Sequence, residues 1–298
     1  MAVSQPSAAQ RTLARRPAFW LVAGSSFCLT AALALPLQTA HAAADIPRDN
    51  GSSSSSVKLV NTLLSNEDVA AKHRDHYAYL SKERSDRTGG HLWTEKVVET
   101  DFGKIRMLLS EDGNPLSPER IAQERGRLAA IVADPAAFTR KAQSVKDDEA
   151  HALQMLSLAT RAFLFSDPRE ENGFIHLDYR PNPDFQAQTI EERVLHGMSG
   201  SLLIDPQTVR LHRIDGRLPE DISIGFGLAT IHAGSSFSTT RDHFDQPDWK
   251  TTKVDTAING RIIFFKSIAK NQHAEHSEFV RVPNELTLAQ AVALVEQP

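Results

Sequence analysis

Cysteine is almost absent from this sequence. Its 298 residues contain one, Cys28, and that one lies inside an apolar run near the N-terminus. Phe27 before it is bulky where a lipid-attachment signal wants a small residue, so lipidation at Cys28 is not expected. A chain cleaved beyond it carries no thiol, which excludes disulfides, a cysteine nucleophile and a thiolate metal site. An excess of basic charge is missing as well. Lys and Arg total 33 against 37 Asp and Glu, a formal charge of −4, and no basic stripe stands out, which argues against a nucleic-acid partner. No His-Glu-x-x-His motif occurs, and Gly225-Phe-Gly227 lacks the third glycine and following helix of a phosphate-binding loop.

The one long apolar run has a reading of its own. Arg11, Arg15 and Arg16 precede Ala18 to Leu35, and Ala40-His41-Ala42 follows. Basic segment, apolar segment and small-x-small site together predict a secretory signal peptide over residues 1–42, cleaved after Ala42, with retention as a membrane anchor the alternative. Cleavage takes the charge to −7, with 30 basic residues against 37 acidic. The expected location is the periplasm or the exterior. Residues 43–56, ending in Gly51-Ser-Ser-Ser-Ser-Ser56, offer nothing to bury and are expected to be a flexible linker.

Residues 57–298 are expected to form a single α+β domain. Val57, Val60, Leu63 and Leu64 suggest a short helix, and Asn66-Glu67-Asp68 restarts a second. Runs over 77–87, 91–100 and 101–109, joined by tight turns, predict a meander. A helical block over 117–165 follows. Ser117 and Pro118 suit the cap and first position of its first helix, whose buried face is Ile121, Leu128, Ile131 and Val132. A second helix runs from Asp147-Asp148-Glu149 through Phe163 and Leu164. Strands then continue almost to the end. Runs 237–244 and 250–258 look edge-like, Asn259-Gly260 signals a hairpin, and Lys270-Asn271-Gln272 resembles a solvated hairpin tip. Thr287 and Gln290 form a capping box for a last helix carrying Leu288, Val292 and Val295.

The stretch from Ile222 to Ile231 is the most informative. Read as one strand, it places Ile222, Ile224, Phe226 and Leu228 on one face, with Ser223, Gly225, Gly227 and Ala229 on the other. A bulky face backed by a bare one suits a curved antiparallel sheet. With Ile262 and Phe264 from the following run, these six form the candidate ligand-binding surface. Left bare they would cost roughly 10 kcal/mol, so helices or a ligand must cover them.

Other candidates are thinner. His73 with His76, and His273 with His276, are pairs where zinc wants three or four ligands, so neither a metal nor another cofactor is expected. Gly197-Met198-Ser199-Gly200 approximates a nucleophile elbow but runs strand to strand. Asp242, His243, Asp245 and Asp248 cluster around Trp249, a polar loop or the acids of a hydrolase.

Several stretches carry a resemblance: Tyr77-x-Tyr79, Gly113-Asn-Pro-Leu-Ser117-Pro-Glu119, Pro181-Asn-Pro183 and Gly197-Met-Ser-Gly200-x-Leu-x-Ile-Asp205. They resemble exported bacterial proteins and, more remotely, the lipoprotein-carrier and outer-membrane lipoprotein-sorting superfamily, over roughly residues 60–283. The resemblance implies an unclosed half-barrel with helices over its apolar concave face. It further implies binding of acyl chains and carriage of lipids or lipidated proteins across the periplasm; the chain itself is expected to be a monomer. It transfers no catalytic residue. The reading from sequence is therefore an exported envelope protein holding a hydrophobic ligand non-covalently. The alternatives are a secreted hydrolase acting through residues 241–248 and an interaction module that meets an envelope protein through its polar sheet face.

Overall fold

The computed structural model describes residues 53–73, 75–143, 147, 157–224, 229–245, 248–262 and 266–297. The first element is a single helix, α1 (Ser54–Lys72), capped by Ser53. It claims the end of the expected linker and runs unbroken through Asn66–Asp68. Tertiary partners supply what the local pattern lacked. Ser56 is fully buried and donates to the Ser166 carbonyl at 2.7 Å, while Asn66 donates to the Thr208 carbonyl at 3.0 Å.

The meander follows as β1 (His76–Ser85), β2 (Leu92–Thr100) and β3 (Gly103–Glu111), with a short β4 (Asn114–Pro115). Helix α2 (Pro118–Ala133) starts where the cap predicts. Its buried face is Leu128 with Glu124, whereas Val132 is exposed, a correction to the expected apolar stripe. Glu124 turns inward because it has work at the edge of β3. Its carboxylate accepts from the Leu108 amide at 3.5 Å, and Arg127 beside it donates to the Arg106 carbonyl. Of the second expected helix the described residues show Asp147, which is helical, and α3 (Ala159–Ala162); residues 148–156 lie outside the described set, and Phe163–Phe165 is strand β5. Phe163 and Phe165 point into the core at alternate positions, which a helix would not allow.

The rest is β6 (Arg169–Glu171), β7 (Phe174–Pro181), α4 (Ile190–His196), β8 (Ser199–Ile204), β9 (Leu211–Arg217), β10 (Ile222–Ile224) and β11 (Ala229–Ile231). Then come β12 (Ser236–Asp245), β13 (Asp248–Ile262), β14 (Lys266–Val282) and α5 (Leu288–Val295), with its capping box as expected. Four readings change here. Ile222–Ile231 is not one strand but two paired arms, with Ile224 opposite Ala229. Asn259-Gly260 is no hairpin, because β13 continues through it opposite Ala269 and Ile268 of β14. Lys270–Gln272 therefore lies mid-strand, and the pair β12 and β13, read as edge-like, sits near the centre of the sheet.

All fourteen strands among the described residues join one antiparallel sheet, ordered β4-β3-β2-β1-β14-β13-β12-β9-β8-β7-β5, with β6 on β7 and the β10–β11 arm on the end of β13. The two edges do not meet, so the sheet is an open half-barrel in an α+β fold. Helices cover both faces. Val60 and Leu63 of α1 pack on Phe163, Phe165, Leu177, Leu202 and Ile204, and Val194 of α4 packs on Ile224 and Ile258. On the opposite face of the meander, α2 and α5 cover Val98 and Ile105.

Candidate functional site

Directly paired residues of neighbouring strands share a face, so the inner face can be followed strand by strand. One row runs Leu177, Leu202, Ile214, Thr239, Val254, Ala274 and Glu83, across β7, β8, β9, β12, β13, β14 and β1. The next runs Tyr179, Gly200, Gly216, Phe237, Thr256, Gln272 and Ser85. Both change character along their length. At the β7–β8 end the side chains are apolar and lie under α1. In the middle Ile214, Phe237, Thr239, Thr256 and Gln272 are only half-buried. At the far end the row terminates in buried charge.

That charge is a closed network. Arg87, brought back over the face by the turn Asp86–Thr88, sits 2.6 Å from both Glu83 and Glu95, and Arg106 lies 3.2 Å from Glu95. Burial acts to raise the pKa of Glu83, but the hydrogen bonds and charge of Arg87 outweigh it and hold the carboxyl below its ordinary range. Arg87 also lies over the Trp93 ring, 5.3 Å from its centroid. Ser81 Oγ and the indole N–H groups of Trp93 and Trp249 are buried without a hydrogen-bond partner. Such donors are where water or a polar ligand atom is accepted.

Helix α1 is tied to β9 and β12 by a second network. Glu67 accepts from Arg210 at 2.9 Å, from Arg241 at 2.6 Å and from the Leu211 amide at 3.0 Å. Burial works against its charge, yet these partners keep its pKa below the ordinary value. Two residues on the inner face have no side chain because none fits. A Cβ on Gly200 would overlap the Asp215 carbonyl, and one on Gly216 would overlap the Phe237 ring and the Tyr179 hydroxyl. Tyr179 lies across this bare strip and donates to the Asp215 carbonyl at 2.8 Å.

The six residues singled out from sequence are only partly within reach. Ile224 is buried with Val194, Met198, Leu218, Ile231 and Ile258, and Ile222 packs half-buried against the same cluster under α4. Ile262 ends β13, paired with both Ala229 and Lys266, and its side chain is outside the described set. Phe226, Leu228 and Phe264 also lie outside the described residues. The half-buried strip at Ile214, Phe237, Thr239 and Thr256 went unread. Its alternation was visible, but that it faces the same side as Leu177 depends on register, which no single strand carries.

The remaining candidates are dispersed. His73 caps α1 while His76 begins β1. His273 pairs with Asp255 at 2.5 Å, and His276, three residues on, contacts the Thr251 carbonyl and lies 5.1 Å from the Tyr79 ring. Ser199 starts a strand, without an elbow. Asp242 is held by Thr252 at 2.8 Å, Asp248 accepts from Tyr77 at 3.0 Å, and His243 lies against Trp249. These acids have separate partners. Asp245 has no described side chain.

No family model, no curated protein and no solved structure matches the chain.

Proposed function

We propose that this protein is exported to the cell envelope and holds an amphipathic ligand, a lipid or the acyl chain of a lipoprotein, non-covalently on the inner face of its sheet. One observation carries the reading: the graded row from Leu177 through Ile214 and Val254 to Glu83, half-buried in its middle and flanked by unpartnered buried donors. An acyl chain lies along the apolar part, and its polar head turns toward Ser81 and the charged end. Each apolar side chain covered contributes about 1.5–3 kcal/mol. The resemblance of Tyr77-x-Tyr79 and the other motifs to lipoprotein carriers points the same way. The separate partners of Asp242 and Asp248 favour binding over hydrolysis.

The test is a lipid extract of the protein purified from envelope fractions, followed by titration with a fluorescent long-chain fatty acid. Co-purifying acyl chains and saturable probe binding are expected, weakened about tenfold or more by Phe237→Asp. A protein free of lipid that also ignores the probe overturns the reading. In that case the charged outer face, where Arg213, Lys253, Glu275 and Lys82 are exposed, makes an envelope-protein partner the better reading.

A further inference from the structure

Six large apolar residues are exposed among those described, and four of them cluster at one end of the sheet. Val280 is 63 % exposed, Val69 55 %, and Phe102 and Phe244 41 % each. Strand β1 begins there, with His76 opposite Val282 at the end of β14. The β2–β3 turn bearing Phe102 is beside it, since His76 Nε2 lies 3.6 Å from Asp101. Phe244, near the end of β12, has its ring 4.7 Å from that of Phe279. Val69 is in the last turn of α1, whose Asn66 donates to the carbonyls of Thr208 and Val209 at the same end. The other two, Leu109 and Val132, belong to β3 and α2 on the flank.

We infer that this end of the half-barrel docks on a zwitterionic lipid surface. The four tips come from four separate segments, spread around a rim instead of gathered into one patch, an arrangement that suits shallow insertion between headgroups better than a flat protein partner. The rim's charges neutralise one another. Lys72 is 2.7 Å from Asp68, Lys250 is 3.1 Å from Glu99, Arg281 lies between Asp75 and Asp248, the latter at 3.6 Å, and Arg210 and Arg241 share Glu67, five cations against five carboxylates. A rim of paired charges offers anionic lipids no attraction and costs nothing at a neutral headgroup layer. Docking there brings the inner face to the source of the ligand proposed above. That ligand reading gives the docking its purpose, but the geometry of the rim is independent of it.

Flotation of the full chain with phosphatidylcholine vesicles tests the inference. Wild-type protein is expected to float with the vesicles, Phe102→Glu with Phe244→Glu to reduce the bound fraction about tenfold or more, and Leu109→Glu with Val132→Glu to leave it unchanged. Binding that requires anionic lipid overturns the inference, as does equal loss in the flank variant. So does concentration-dependent self-association abolished by the rim variant without vesicle binding, which would make the rim an interface between copies. Retained acyl ligand in a rim variant that no longer floats separates the docking surface from the ligand site. A protein that floats but carries no ligand refutes only the ligand reading.

Discussion

Gly200 and Gly216 sit side by side on β8 and β9 with Tyr179 and Phe237 laid against them. Gly200→Ala forces a methyl into the Asp215 carbonyl, which neither backbone can avoid without moving. A loss of about 1–3 kcal/mol is expected, read as a lower urea midpoint at unchanged slope. His276 links stability to pH. Burial pushes its imidazole below the ordinary value, so the folded state resists its protonation. The unfolded chain takes up that proton near pH 6.5, so stability is complete above this pH and falls as the pH drops toward the folded value. Glu67, Glu83 and Glu99 have lowered values and add a second loss below about pH 4.3, the ordinary Glu range. Thermal unfolding against pH should show both phases, and His276→Gln should remove the one at higher pH.

Among the elements, α1 depends on one side chain. Glu67→Ala leaves Arg210 and Arg241 partly buried beside each other without their shared carboxylate. It is expected to cost about 3 kcal/mol and to expose the Val60 and Leu63 contacts, seen as faster amide exchange in α1 and β9. The edge of β3 is guarded by Glu124 and Arg127, and replacing both by alanine should produce concentration-dependent association through that strand. The caps at Ser117 and Thr287, the meander and the last helix were legible because their signals are local. Asn-Gly shows the limit. At Asn172-Gly173 both residues take positive φ and turn a true hairpin. At Asn259-Gly260 the same pair stays in the ladder, and the glycine is needed because a Cβ would meet the Thr230 carbonyl at 2.7 Å. The buried Glu83 and Glu95 likewise look like wet-face residues until Arg87 is folded over them. The two-armed reversal at Ile224 and Ala229 was hidden by a run whose alternation suited a single strand equally well.

On the scale of the molecule, the helices divide the sheet between them, leaving the middle of the inner face less covered than either end. That uneven cover is what the fatty-acid titration examines, and the apolar rim is what the vesicle experiment examines. The sheet has a further property in its strand order. The opening meander is joined to the body through β1 against β14, pairing Ser85 with Gln272. Its hydrogen-bonding partner is thus nearly the last strand to be synthesised. A nascent chain must hold β1 with one edge unzipped until the C-terminal strand arrives. The same edge invites wrong partners throughout that interval. A chain truncated before Lys266 should therefore fail to fold and should bind holdase chaperones persistently.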